Sequence, residues 1–318
     1  MSLVFFALVA IATWREAFPE FGPYQADFKH TLEVNAQLQA AQRFTFGIKQ
    51  IWNPKIKVVD RCVTCHLGYD WGSVLPAASM PQPLKPHPNL PYMDKHPFQQ
   101  FGCTPCHGGQ GWATTAEDAH NPKDWDDPMF SETLARKYGL TQGEMMQMRC
   151  NFCHRHDVET PGMDVINLAK KLMKKKKCAV CHTIEGEGGN TGPELTFYGD
   201  KDPDLVDFTN VRGPHTLMEW NIEHLSNPDA ITPKTQMPQF NFTPEQARAL
   251  AMLVLSWRRE VFPPEYIPPP LEAAPEASPA AAASPSNASP AGSPPAGAPQ
   301  AATSPGAAVT PAVRSSSK

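Results

Sequence analysis

A chain of 318 residues with a formal charge of −4 lacks the basic excess of a nucleic-acid binder, so no nucleic-acid partner is implied. Hydrophobic residues at 41% suit a globular protein with room for two domains, yet the apolar content is unevenly spread. The stretches around the first three cysteine pairs are poor in periodic aliphatic runs and rich in Pro, Gly, Asp and His.

Leu3 to Trp14 reads LVFFALVAIATW, with no charge before Arg15. As a helix it spans ~18 Å, short of a hydrocarbon core of ~30 Å. Residues 1–14 read as a membrane anchor or a signal segment; Ala10-Ile11-Ala12 resembles a cleavage site, but no basic region precedes it. A helical stalk is expected over residues 15–50. Pro23 suits a first turn, and Phe21, Tyr24, Phe28 and Leu32 recur at helical spacing, predicting a helix from there to about Phe46.

Residues 51–160 hold three copies of Cys-x-x-Cys-His: Cys62, Cys65, His66; Cys103, Cys106, His107; and Cys150, Cys153, His154. A fourth follows as Cys178, Cys181, His182, and no cysteine is left over. Two thiols at this spacing each add across one vinyl group of a haem, and the adjacent histidine reaches the iron. Zinc held by paired thiolates gives no reason for a histidine at the fifth position every time. A thioredoxin-like redox pair needs a βαβ context that this proline-rich sequence does not offer. The expected cofactors are therefore four covalently bound haem c groups. Such attachment and the cysteines suit an exported protein. Between the first two motifs, prolines at 76, 81, 83, 86, 88 and 91 exclude a regular element.

Residues 161–262 change character after Thr160-Pro161-Gly162. Asp164 is expected to cap a helix through Val165, Leu168, Ala169 and Leu172, which ends in Lys174 to Lys177, a solvated face or a docking patch, before the fourth motif. Residues 263–318, rich in Pro, Ala and Ser, lack periodic apolar positions and read as a disordered tail. The expected fold class is mainly α with much irregular structure: a haem-packed triheme domain, then an all-α monohaem domain.

From Met163 to Phe262 the chain resembles class I cytochrome c. A helix precedes the fourth motif, Gly188-Gly189 and Gly192-Pro193-Glu194-Leu195 are similar to the family's glycine-rich segment and the turn beside its proximal histidine, and Thr235 to Phe240 resembles its Met-Pro loop. A helix opened by Thr243-Pro244-Glu245-Gln246 matches the closing helix. The resemblance implies Met237 as sulfur ligand opposite His182. Over Trp14 to His120, the order of Pro23-Tyr24-Gln25, Gly47 to Trp52, Asp60-Arg61, His96-Pro97 and Gly108-Gly109-Gln110-Gly111 resembles the membrane-anchored multihaem cytochromes that accompany quinol-oxidising cytochrome b type complexes. That implies an anchored electron-transfer protein on the periplasmic face of a bacterial inner membrane. Its partners would be cytochrome b-type or other quinol-oxidising subunits and a soluble or membrane-bound acceptor.

Two strong axial ligands close an iron to substrate, so the sixth positions separate a carrier from an enzyme. His87, His96 and His120 lie in loops flanking the motifs and lead as sixth ligands of the first three haems; each is otherwise a surface or propionate-bonding histidine. A methionine among Met145, Met146 and Met148 is the alternative at the third haem. His215 and His224 read as structural. With all four motifs ending in histidine, an electron carrier is expected, not an enzyme in itself. A tetrahaem donor to a photosynthetic reaction centre and a multihaem reductase are the alternatives. A thioether favours reduced iron relative to a second imidazole, so electrons are expected to run from the triheme domain to the haem at Cys178 and Cys181.

Overall fold

The computed structural model describes residues 2–76, 79–120 and 129–259. The tail expected from residue 263 lies outside them. Helix α1 (Ser2–Ala17) exposes its apolar side chains, and no described helix is long and apolar enough to cross a membrane.

Helix α2 (Phe21–Val34) buries Phe21, Gln25, Phe28 and Leu32, one face at three- and four-residue steps. The helix expected to continue to about Phe46 stops earlier. Ala36 takes a left-handed φ of 58°, and α3 (Leu38–Arg43) resumes at a new angle. The bend lets Ala41 join Phe28, Leu32, Leu67, Leu75 and Leu84 in a small apolar cluster. Gln25 is fully buried with its amide in use: Nε2 donates to Gly47 O (2.7 Å) and Thr64 O (3.1 Å), and Oε1 accepts from Gly47 N (2.8 Å). This ties α2 to the first motif.

Strands β1 (Ile51–Asn53) and β2 (Val58–Asp60) form an antiparallel pair with Trp52 opposite Val59. The described residues of the proline-rich loop 76–91 form only turns, as proline density dictates. Short helices α4 (Phe98–Phe101), α5 (Thr104–His107) and α6 (Ala116–His120) follow.

Helix α7 (Glu132–Lys137) leads to α8 (Gln142–Cys153), which opens with a capping box: Thr141 and Glu144 bond reciprocally across the first turn. Helix α9 (Asp164–Lys175) starts where the sequence indicates, but Asp164 does not cap it. The amides of Val165 and Ile166 donate instead to Gln147 Oε1 of α8, at 3.0 and 3.4 Å. A neighbouring helix meets donors that a local cap would otherwise satisfy. Strands β3 (Thr183–Ile184) and β4 (Glu187–Gly188) make a second small hairpin. Helices α10 (Leu217–Ser226), α11 (Pro228–Ile231) and α12 (Pro244–Leu255) complete the described chain. Pro244 at the first position of α12 and a Thr243–Gln246 capping box start that last helix.

One apolar core joins α7, α8, α9, α10 and α12, with Met163, Ile166, Ala169, Leu250 and Leu253 among its most buried members. It runs from Phe130 to Trp257, across the turn at residues 160–162. Buried Asn151, inside the third motif, donates to Ser256 Oγ at 2.8 Å, and Arg248 of α12 pairs with Glu144 of α8 at 3.1 Å. The third motif is thus braced by the closing helix.

Candidate haem-binding sites

All eight motif cysteines are half-buried. The motifs take three local forms. Cys62–Thr64 and Cys178–Val180 are single 3-10 turns, the second motif forms α5 with Cys103 as its N-cap, and the third ends α8 with His154 as C-cap. Each folds the second cysteine and the histidine back over the first: His66, His107, His154 and His182 all donate their amides to the carbonyl of their motif's first cysteine, at 2.9 to 3.0 Å.

Asp60 joins the first two motifs. Its side chain is fully buried; Oδ1 accepts from Cys62 N (3.2 Å), and Oδ2 from Cys103 N (2.7 Å) and Thr104 N (2.8 Å). The sulfurs of Cys62 and Cys103 and a carboxylate oxygen of Asp60 lie within 4.8 Å of one another. The Cys62 thiol, hydrogen-bonded to Cys103 and desolvated, is pushed far up. Cys106 stands near Cys150, whose thiol is pushed up to about 12 by burial first and then by Cys106. Arg149 Nε reaches Pro105 O at 3.4 Å between the same two motifs. From the third motif, Arg155 reaches the segment after the fourth: it pairs with Glu185 at 2.6 Å, donates to Thr196 O at 2.7 Å and lies over the Trp257 ring. The four motifs are therefore neighbours in sequence order.

His87 and His96 from loops, and His120 from the end of α6 and not the loop expected for it, come to the motif histidines in pairs. Ring centroids are 6.0 Å apart for His66 and His120, 6.2 Å for His107 and His87, and 5.9 Å for His154 and His96. With metal–imidazole bonds of about 2 Å, two rings on opposite sides of one ion have centroids roughly 6 Å apart. Nδ1 of His87 is occupied by Pro88 O (2.8 Å) and Nδ1 of His96 by Tyr92 O (2.9 Å), leaving Nε2 of each to serve as the metal-ligating atom. Burial pushes the pKa of His66 and His107 down, favouring the neutral ring that a metal needs. The donor set of two thiols and two imidazoles at each of the first three motifs fits a haem c. Of the methionines considered at the third site, Met145 is buried in the apolar core and Met146 and Met148 pack against it.

At the fourth motif, His182 Nδ1 bonds Pro193 O at 2.8 Å. A Cβ at Gly192 would meet the His182 ring at 2.6 to 3.0 Å, so glycine is required for this approach. Met237 is half-buried, and its amide donates to Thr235 Oγ1 at 3.2 Å. His224 stacks on Trp220 at 4.7 Å, and burial, with His182 nearby, pushes its pKa down to about 4. His215 stacks on Phe208. His30 is exposed beside Glu33, and His156 faces Glu185 at 3.5 Å.

The roles of Asp60 and Asp157 were not apparent from sequence reasoning. Asp157 Oδ2 lies 2.7 Å from His154 Nδ1. An aspartate three residues past a motif histidine was the available signal for it. Asp60 stands two residues ahead of its motif, and its reach to Cys103 has no local trace.

Comparison with known proteins bears on the C-terminal region. The family model described as Cytochrome c matches residues 166–257. A segment of 91 residues, 27% of this chain, is 34% identical to a nitric oxide reductase subunit of Paracoccus denitrificans and covers 54% of that protein. The chain thus spans about half the length of this curated relative. No solved structure matches. With the glycine-backed histidine, the cysteine pair, α10, α12 and all but the first two residues of α9 inside the matched segment, the C-terminal region of this chain is a cytochrome c domain, a module of electron transfer.

Proposed function

We propose that the chain is a tetrahaem electron-transfer subunit of a membrane oxidoreductase, working on the periplasmic face. It would comprise a triheme region over residues 51–160 and a monohaem module over residues 161–262. The observation that carries this reading is the set of three imidazole pairs at 5.9 to 6.2 Å, each joining a motif histidine to a histidine outside the motifs. Haem c, when bound, supplies a one-electron iron couple. The thiols of Cys62 and Cys65, Cys103 and Cys106, Cys150 and Cys153, and Cys178 and Cys181 form the thioethers. His66, His107, His154 and His182 would hold the iron from their motifs, and His120, His87 and His96 would supply a second imidazole at the first three.

Six imidazoles used in this way leave no open position for substrate, which favours a carrier over a reductase. Met237 would be the sulfur ligand at the fourth motif and would give that site the highest potential in comparable surroundings. Cys62 beside Cys103, Cys106 near Cys150 and Arg155 against Glu185 support a path in sequence order that ends at the cytochrome c domain. The donor is a quinol-oxidising, cytochrome b-type subunit and the recipient a periplasmic acceptor, with residues 1–14 as anchor. The likeness to a nitric oxide reductase subunit favours a second reading, in which the chain feeds a reductase subunit.

Denaturing mass spectrometry of the intact protein tests the haem count: four haem increments are expected, and fewer would remove a motif. Purification from detergent-solubilised membranes separates the two readings. A co-purifying quinol-oxidising subunit supports the first and a nitric oxide-reducing subunit the second.

A further inference from the structure

Among the described residues, His154 is the one motif histidine hydrogen-bonded to a carboxylate. Nδ1 of His182, like that of His87 and His96, faces a neutral main-chain carbonyl. The Asp157 side chain is 1% exposed. Its Oδ2 also accepts from the Thr160 hydroxyl at 3.0 Å, while Oδ1 is buried without a partner. Lys170 donates to the main-chain oxygens of His154 (2.6 Å) and Asp157 (3.0 Å) and meets the carboxylate through space, not by a hydrogen bond. Asn167 of α9 grips Thr160 through both main-chain atoms, at 2.9 and 2.7 Å, so the turn carrying the aspartate is fixed. A buried carboxylate, one of its oxygens without a hydrogen-bond partner, is thus aimed at the back of one imidazole.

We propose that Asp157 tunes the third haem, making the site of Cys150, Cys153 and His154 the lowest in potential of the four. The inference rests on His154 being an axial ligand through Nε2. Ligation there places the proton on Nδ1, which is donated to Asp157. A carboxylate acceptor makes the imidazole a stronger electron donor than a carbonyl does and sits close to the metal charge. Reduction adds one electron to the iron and leaves the proton on Nδ1, so the negative carboxylate stabilises the ferric state more than the ferrous one. Asp157 acts through His154 and is a positioning and tuning residue. The site lies between the second motif, through Cys106 and Cys150, and the fourth, through Arg155 and Glu185. As the site of lowest potential, it should be the last of the four to take its electron in a reductive titration.

The test is a spectroelectrochemical titration of the full-length protein and its Asp157→Asn variant, with haem loading fixed by denaturing mass spectrometry and low-spin signals read by electron paramagnetic resonance. The lowest wave should move up while the other three stay in place; an unmoved lowest wave, or an equal shift of all four, overturns the proposal. His154→Ala tests the ligation reading separately. If all four low-spin signals survive that change, His154 is not a ligand and the underlying reading is what fails. If one signal is lost but Asp157→Asn leaves the lowest wave unmoved, the tuning role alone is wrong. Should Asp157→Asn lose a haem, Thr160→Val decides: removing the hydroxyl that shares Oδ2 should move the lowest wave further down, and an unchanged wave refutes the role of the carboxylate.

Discussion

The two halves of the described chain are held together by different means. From Phe130 to Trp257 the polypeptide builds its own core, with Ile166, Ala169, Ala249 and Leu250 all but sealed from solvent between α9 and α12. Around the first two motifs the apolar cluster is small, and buried polar groups do the joining: Gln25 to Gly47 and Thr64, Thr64 to Lys49, and Asp60 to Cys62, Cys103 and Thr104. A region with few aliphatic side chains gains order by satisfying backbone groups with a few enclosed side chains and, in the reading proposed above, from the buried faces of haems. It is correspondingly sensitive to the loss of one polar atom.

That contrast predicts the largest effect at Asp60. Asp60→Ala leaves three backbone donors without their acceptor and should cost on the order of 3–5 kcal/mol. Haem incorporation at both of the first two motifs should fall together in peptide mass mapping, while the cytochrome c domain still loads. Loss at one motif alone would break the idea of a shared clamp. Leu250→Ala in α12 should cost about 2–5 kcal/mol, seen as a lowered denaturation midpoint of the C-terminal helices. Since α8 shares that core, the environment of the third motif should respond before that of the first, as read by spectra of the individual sites. Gln25→Leu removes three hydrogen bonds from a sealed site and should cost roughly 2–3 kcal/mol. Hydrogen exchange should quicken at Gly47 and leave α9 and α12 unchanged. The smallest change is Thr243→Ala, which deletes one side of the capping box and should cost about 1 kcal/mol. It is measurable as a small fall in thermal midpoint without a shift in any potential.

Helix positions were legible where a local signal and the tertiary packing agree. Thr243-Pro244-Glu245-Gln246 opens α12 as read, and the start of α9 falls at Asp164. The signals misled where a distant partner replaced a local one. Asp164 looks like a cap, but Gln147 of another helix takes the amides it would have served. The periodicity through Phe28 and Leu32 extends on paper to Phe46, yet the chain turns at Ala36 so that Ala41 can close the apolar cluster beneath the first motif. The two short hairpins leave almost no period-2 pattern because each strand is two or three residues long.

By itself the sequence determined the chemistry available: four Cys-x-x-Cys-His motifs consuming every cysteine, a loop methionine after the fourth, and three spare histidines beside prolines and in a polar loop. Spacing does this because a haem-attachment motif is local, its thiols and imidazole lying within five consecutive residues. Tertiary structure alone decided which imidazole faces which. His120, after the second motif, turns back to the first; His87, before the second, meets it; and His96 passes over the second to the third. It also decided that Asp60 binds two motifs and that Asp157 stands behind one histidine. Such pairings join segments far apart in the chain. They are set by how loops close over a shared interior, a long-range balance of burial and hydrogen bonding that no short window of residues contains.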